Sequence, residues 1–258
     1  METLKVVKIG GNSIDDDAEL TSFLKGFSML EGPKILVHGG GKLASKLAEK
    51  MNVPVKMIEG RRVTDAETLE IITMVYAGKI NKNIVAQLQS LGCNSIGFTG
   101  ADANTIVAKK RVVSTIDYGF VGDVVKVDVR LVKKLVLNDL SIIFSAISHD
   151  GNGQLLNTNA DTIASELAIA FSKFFAVELY YCFEKNGVLK NVNDNDSVIE
   201  QLDQETYQQL KKEGIIHEGM IPKLENCFYA LENNVSKVCV GKSNMLFQTD
   251  SKFTTIEN

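Results

Sequence analysis

Histidine is scarce in this chain: three residues in 258, far apart at His38, His149 and His217. So few histidines speak against a metal cluster, and nothing in their pattern resembles Ser-His-Asp or Cys-His nucleophilic chemistry. The four cysteines, Cys93, Cys182, Cys227 and Cys239, are equally scattered. None forms a Cys-x-x-Cys pair, so neither a disulfide framework nor a structural zinc is expected. No apolar run approaches the roughly 20 residues of a membrane-spanning helix. The formal charge of −4 argues against nucleic acid as a main partner. The opening Met1-Glu2-Thr3-Leu4-Lys5 runs straight into a strand pattern without a signal or transit peptide, so a cytoplasmic protein is expected. Low-complexity tracts, internal repeats and flexible linkers are missing, as are paired carboxylates suited to glycoside hydrolysis.

What is there centres on glycine. Ile35-Leu36-Val37 reads as a short buried strand, and His38-Gly39-Gly40-Gly41 follows it. Leu43, Leu47 and Met51 then recur at helical spacing, so a helix starts near Lys42. Strand, glycine turn and helix N-terminus leave backbone N–H groups free for an anion, and glycines let a ligand approach the backbone. A tight turn without a ligand is the alternative. The Gly-x-x-x-x-Gly-Lys-Ser/Thr phosphate loop is excluded because Leu36 and Leu43 occupy its first and last positions. The Gly-x-Gly-x-x-Gly dinucleotide fingerprint fails at Ala44.

A second strand–glycine–helix unit precedes it. Leu4 to Ile9 is β-branched and ends in the glycine turn Gly10-Gly11-Asn12; Leu20, Phe23, Leu24, Phe27 and Leu30 mark an amphipathic helix. Two such units within about fifty residues point to an α/β fold with a parallel sheet. Residues 53–63 read as extended. Thr64-x-x-Glu67 reads as a capping box opening a long helix, with a stripe of Leu69, Ile72, Tyr76, Ile80, Ile84 and Leu88 and a stop at Gly92. Strands are expected at 93–98, in a hairpin of 105–113 with 120–127, and at 142–147, 177–183 and 237–240. Helices are expected at 129–138, after Asp161, and at about 203–213 and 220–234. A soft boundary falls near Lys173, with one sheet shared by both halves.

Several polar residues stand where ligands bind in such sheets, beyond the strands' carboxyl ends. Lys8 lies two residues before Gly10-Gly11 and can meet an anion there, or simply reach water as a strand-end lysine. Arg61-Arg62 offers a fork for a carboxylate, or is a solvated pair. Asn157-Thr158-Asn159-Ala160-Asp161 holds more polar groups than one helix cap needs. Lys223 opens a helix just after Pro222, against the dipole's preference, which suggests an anion nearby. Many anion binders without a general base suit phosphoryl transfer to an acceptor that is already ionised, such as a carboxylate.

Five motifs, in order, carry a resemblance across essentially the whole chain. They are Val7-Lys8-Ile9-Gly10-Gly11, Val37-His38-Gly39-Gly40-Gly41, Gly60-Arg61-Arg62-Val63-Thr64, Asn157-Thr158-Asn159-Ala160-Asp161 and Glu218-Gly219-Met220-Ile221-Pro222-Lys223. In order and spacing the chain resembles the acetylglutamate kinases of the amino acid kinase family. The resemblance implies an open αβα sandwich around a mainly parallel sheet. It implies transfer of the γ-phosphoryl of ATP to the γ-carboxylate of N-acetyl-L-glutamate, in arginine biosynthesis. By the same resemblance Lys8 and Lys223 would stabilise the moving phosphoryl and Asp161 would orient both. Gly40, Gly41, Arg62 and Asn157 would hold the acyl-amino acid, with Arg62 on its α-carboxylate. Gly10, Gly11, Glu184 and Gly187 would serve the nucleotide. Mg²⁺ is expected on the ATP phosphates, with no dedicated metal ligand in the chain. The implied lobes are 1–173 for the acylglutamate and 174–258 for the nucleotide. The implied assembly is a homodimer without arginine feedback, because the helical N-terminal extension of ring-forming relatives is missing.

Two segments depart from the family pattern. Ser/Thr-Asp-Val-x-Gly-Val near the adenosine is replaced by Phe183-Glu184-Lys185-Asn186-Gly187-Val188. A Pro/Ser-Ile-Gly strand end near the acyl group is replaced by Ala146-Ile147-Ser148-His149. The second change allows an acyl group larger or more polar than acetyl, such as succinyl. A catalytically silent amino-acid sensor on the same fold is the rival from another class. The retained Lys8, Lys223 and Asp161 argue against it.

Overall fold

The computed structural model describes residues 1–58, 60–113, 115–216 and 220–257, with Asn12 as backbone only. His217 and the first two residues of the last motif, Glu218-Gly219, therefore lie outside the described residues. Strand β1 (Thr3–Ile9) leads into a short helix α1 (Gly11–Asp15) and then α2 (Asp17–Met29). The glycine turn after β1 is shorter than the sequence implies, because helix begins at Gly11 itself. Asp16 caps α2 by accepting from the Ala18 and Glu19 amides, both at 2.9 Å, and its apolar stripe is buried. Strand β2 (Lys34–His38) and helix α3 (Gly41–Lys50) repeat the unit.

Within the stretch read as extended, β3 (Met57–Ile58) pairs antiparallel with β4 (Arg61–Arg62). The long helix after it is continuous but changes character: α4 (Ala66–Thr73), a π-helical stretch (Met74–Ile80), then α5 (Asn81–Ser90). Its cap differs from expectation. Asp65 accepts from the Thr68 amide at 2.8 Å, and Thr64 instead bridges to Gly119. Asp65 outcompetes Thr64 because its carboxylate reaches the first-turn amide, while the Thr64 backbone is held in the bridge.

The rest of the chain adds β5 (Ser95–Phe98), β6 (Ile106–Lys110), β7 (Gly122–Val127), α6 (Arg130–Val136), β8 (Ser141–Ser145), β9 (Ile147–His149), β10 (Leu155–Asn157) and α7 (Ala160–Phe171). After α7 come β11 (Ala176–Cys182), β12 (Gln201–Leu202), α8 (Gln204–Lys212), α9 (Ile221–Glu232), β13 (Lys237–Gly241) and β14 (Thr254–Ile256). The apolar run read as one strand over 142–147 is two, because the chain bends at Ala146 and leaves one sheet for another.

Eight strands form the main sheet in the order β12-β14-β13-β11-β1-β2-β8-β5. Its pairs are parallel except β13 with β14. Every residue of β2 and β8 is buried, so both faces of the sheet are covered there. Helix α7 packs on β1, β2, β11 and α9, while α5 packs on β5, β8 and α2. The sheet runs without a break past Lys173, since β1 pairs with β11 along seven residues. The chain moves one way from β1 to β2 and later re-enters on β1's other side through β11. That reversal puts a crevice beyond the carboxyl ends of β1 and β11, the usual ligand position in open α/β sheets. A second sheet, ordered β10-β9-β6-β7, is entered where β8 bends at Ala146 into β9.

Candidate active site

Lys8, at the carboxyl end of β1, and Lys223, in the first turn of α9, converge on one carboxylate. Lys8 Nζ lies 2.7 Å from Asp161 Oδ1, and Lys223 Nζ lies 2.8 Å from Oδ2. The three side chains are only 13, 14 and 16% exposed for Lys8, Lys223 and Asp161. Burial by itself would push the Asp161 carboxyl up. The two ammonium groups outweigh it and hold the group well below the usual carboxylate range. With a cation on each oxygen, Asp161 stays ionised and takes no proton at neutral pH.

The local sequence divides its polar residues among separate jobs. Asn159 caps α7, accepting from the Asp161 amide at 2.7 Å and the Thr162 amide at 3.4 Å. That leaves the Asp161 side chain free for the lysines. Asn157, at the end of β10, donates from Nδ2 to Thr64 Oγ1 at 3.0 Å. Thr64 is held in turn by Gly119, at φ +72°, where a Cβ would collide with the Thr64 carbonyl.

Gly40 caps α3 at φ +150° with no side-chain partner for the first-turn amides. A Cβ there would collide with Ile80 and come within 3.2 Å of Tyr76, so the π-helical stretch packs directly on the glycine loop. Arg62 Nη2 donates to the Gly41 carbonyl at 2.9 Å and to Ser45 Oγ at 2.8 Å, which fixes its guanidinium beside the loop. His38, fully buried before that loop, donates from Nδ1 to the Gly39 carbonyl at 2.9 Å. Its Nε2 accepts from Asn81 Nδ2 at 3.1 Å. Burial pulls the imidazole down to about 4, so it is neutral at pH 7 and holds the loop without titrating.

These groups enclose a cavity of about 510 Å³ walled by Lys8, Gly40, Gly41, Arg62, Asn157 and Asp161, among others. Lys223 is not itself a wall; it meets the site through Asp161, and Pro222 forms the adjacent surface. Sequence reasoning missed Arg111 and Tyr118 as wall residues and placed Tyr76 only in a core stripe. Arg111 had no local signal: it sits just past β6 and enters the wall because the hairpin folds over. A second, smaller cavity of about 150 Å³ is lined by Gly187, Val188, Leu189, Ile216 and Met220, among others. Gly10, Gly11 and Glu184 line neither cavity. Gly10 follows Lys8 by two residues, and a Cβ on it would sit 3.4 Å from the Cys182 carbonyl. Among the described residues no group of three or more His, Cys, Asp or Glu is placed to hold a metal ion, and no helix is long and apolar enough to cross a membrane.

Residues 3–242 match the amino acid kinase family model. The chain belongs to the amino acid kinase family. It is 51% identical over 257 residues to the acetylglutamate kinase of Cytophaga hutchinsonii, covering 99% of this chain and 97% of that one. It is also 51% identical over 239 residues to the acetylglutamate kinase of Bacteroides fragilis, covering 93% and 92%. Among solved structures it is similar to the smu.665 protein of Streptococcus mutans, with TM-score 0.80, 27% identity and 98% of each chain covered. The open αβα sandwich around a mainly parallel sheet is thus the architecture of this family member.

Proposed function

We propose that the chain catalyses ATP-dependent phosphorylation of the γ-carboxylate of N-acetyl-L-glutamate, giving an acyl phosphate in arginine biosynthesis. The observation that carries this reading is the single carboxylate of Asp161 gripping Lys8 and Lys223 at one wall of a cation-lined cavity. The acceptor is already ionised, so the site needs no base. It needs two anions brought together and the charge of the moving phosphoryl neutralised. Lys8 and Lys223 supply that charge, and Asp161 keeps their ammonium groups apart and aimed.

At the other walls, Arg62 offers its free guanidinium edge to the α-carboxylate, and the uncapped amides after Gly40 face the acyl-amino acid. Asn157 receives the N-acyl amide. The nucleotide phosphates lie by Gly10 and Gly11 near Lys8, and the apolar cavity at Gly187 suits the purine. In this reading residues 1–173 bind the acylglutamate and 174–258 the nucleotide. Mg²⁺ arrives on the ATP phosphates. Both oxygens of Asp161 are occupied by lysines, so no spare carboxylate there competes for it. The active form is a homodimer, checked by sedimentation at twice the chain mass.

The test is release of ADP on adding N-acetyl-L-glutamate and MgATP. Lys223→Ala is expected to lower kcat on the order of a hundredfold or more, with substrate binding intact. Undiminished turnover in that variant would end this reading of the site.

Arg111 favours a second reading of the acyl arm. It lies in the wall by Tyr118 and Val121, and Val121 bridges to Asn157. Asp123 holds it through three hydrogen bonds, from Nε to Oδ1 at 3.0 Å and to Oδ2 at 3.3 Å, and from Nη2 to Oδ1 at 2.6 Å. An acetyl methyl gives this guanidinium nothing to bind, whereas an acyl arm ending in a carboxylate, such as succinyl, does. Turnover of N-acetyl- against N-succinyl-glutamate decides, and a clear preference for acetyl removes the second reading.

A further inference from the structure

Behind the charged trio lies a residue that the proposed chemistry has not used. Tyr181 is the register partner of Lys8 on the adjacent parallel strand, so both side chains leave the same face of the sheet. It is fully buried and lines neither cavity. Its hydroxyl donates to the backbone carbonyl of Asp161 at 3.1 Å. Its ring lies 5.3 Å from Lys223 Nζ. One side chain thus touches the helix that carries the carboxylate and the cation from α9, and stands beside the strand that carries the other cation.

The local chemistry explains why such a residue is useful. Lys223 sits near the N-terminus of α9, where the helix dipole disfavours a cation. Asp161 alone would have to hold it, and that same carboxylate is shared with Lys8. The electron-rich face of Tyr181 gives Lys223 a second anchor. A hydrogen bond to the Asp161 carbonyl fixes the first turn of α7 against β11, and with it the direction of the carboxylate. The side away from the cavity is apolar: Cys182 and Cys227 are buried there, and burial pushes the Cys182 thiol up to about 12.

We propose that Tyr181 is a positioning residue, which holds the Lys8 and Lys223 ammonium groups at the separation the phosphoryl transfer requires. This rests on the reading of Lys8, Asp161 and Lys223 as the phosphoryl site. The tyrosine touches no substrate, so its effect falls on the chemical step and leaves substrate affinity alone.

The experiment measures single-turnover phosphoryl transfer, KM for both substrates and the melting temperature in Tyr181→Phe, Tyr181→Leu and Lys223→Ala. Tyr181→Phe keeps the ring and loses the hydrogen bond, and roughly a fivefold slower transfer is expected. Tyr181→Leu loses both contacts, and roughly a thirtyfold slower transfer is expected. KM is expected to stay within about twofold in both, because a positioning role acts on the transition state. Normal turnover in Lys223→Ala would mean that the site itself has been misread. Slow Lys223→Ala together with wild-type transfer in Tyr181→Phe would overturn the role of Tyr181 alone. So would a loss that only tracks a raised KM or a smaller folded fraction. Tyr181→Phe suffices for the decision if the leucine variant does not fold.

Discussion

Asp161 lines the cavity and His38 lies buried behind the cavity's glycine loop, and each holds one protonation state at neutral pH. The carboxyl of Asp161 is held down by two lysines, so its contribution to stability is present above its ordinary value of 3.8 and is lost as pH falls below it. The imidazole of His38 is held down by burial, from 6.5 to about 4. Between those values the unfolded chain binds a proton that the folded chain does not, so stability rises with pH across this window. Acidifying from pH 7 to 4 should therefore cost about 3 kcal/mol through His38 alone. The check is the melting temperature against pH: His38→Asn, which cannot titrate, should flatten the slope between pH 6.5 and 4. An unchanged slope would mean that another group carries it. At this scale Lys8, Lys223, Asp161 and Arg62 were legible in the chain because glycines, a proline and a helix cap flank them. Arg111, Tyr118 and Tyr181 were not, since each looks like an ordinary strand or loop residue until a second segment is folded against it.

At the scale of elements, the entry to the long helix shows how a local signal misleads. Thr64 and Glu67 fit a capping box, yet Asp65 makes the cap and Thr64 is left to hold Asn157. The two residues should separate cleanly by mutation. Asp65→Ala is expected to cost about 1 kcal/mol of stability with KM nearly unchanged. Thr64→Val keeps the shape and removes the acceptor for Asn157. It should raise KM for the acylglutamate about fivefold while the melting temperature hardly moves. Equal effects of both variants on KM would contradict this division. The π-helical stretch Met74–Ile80 is equally invisible in a stripe of apolar residues. Such stretches recur at functional sites. Here it brings Tyr76 into the cavity wall and Ile80 onto Gly40, before Asn81 meets His38.

The whole molecule is tied through β1. Its two neighbours in the main sheet, β2 and β11, come from opposite sides of the soft boundary at Lys173. Helix α7 lies before the boundary but packs on β11 and α9 beyond it. The hydrophobic core is continuous across that boundary. Urea unfolding followed by near-UV and far-UV circular dichroism should give one coincident transition. The fragment 1–173 should fail to fold, because β1 would present an unpaired hydrophobic edge in place of its ladder to β11. Two resolved transitions would show the lobes to be independent.

Sequence alone determined the parallel α/β architecture, through strand–glycine–helix units whose periodicity is local, and the cationic character of the site, through motifs that are contiguous. Those features depend on neighbours within a few residues, so they are written along the chain. Tertiary structure alone decided that one carboxylate joins lysines 215 positions apart, that the 142–147 run crosses between two sheets, and that a buried tyrosine stands beneath the charges. These depend on distances across the sheet, and a distance between remote residues exists only once backbone hydrogen bonding and apolar burial have brought the strands together.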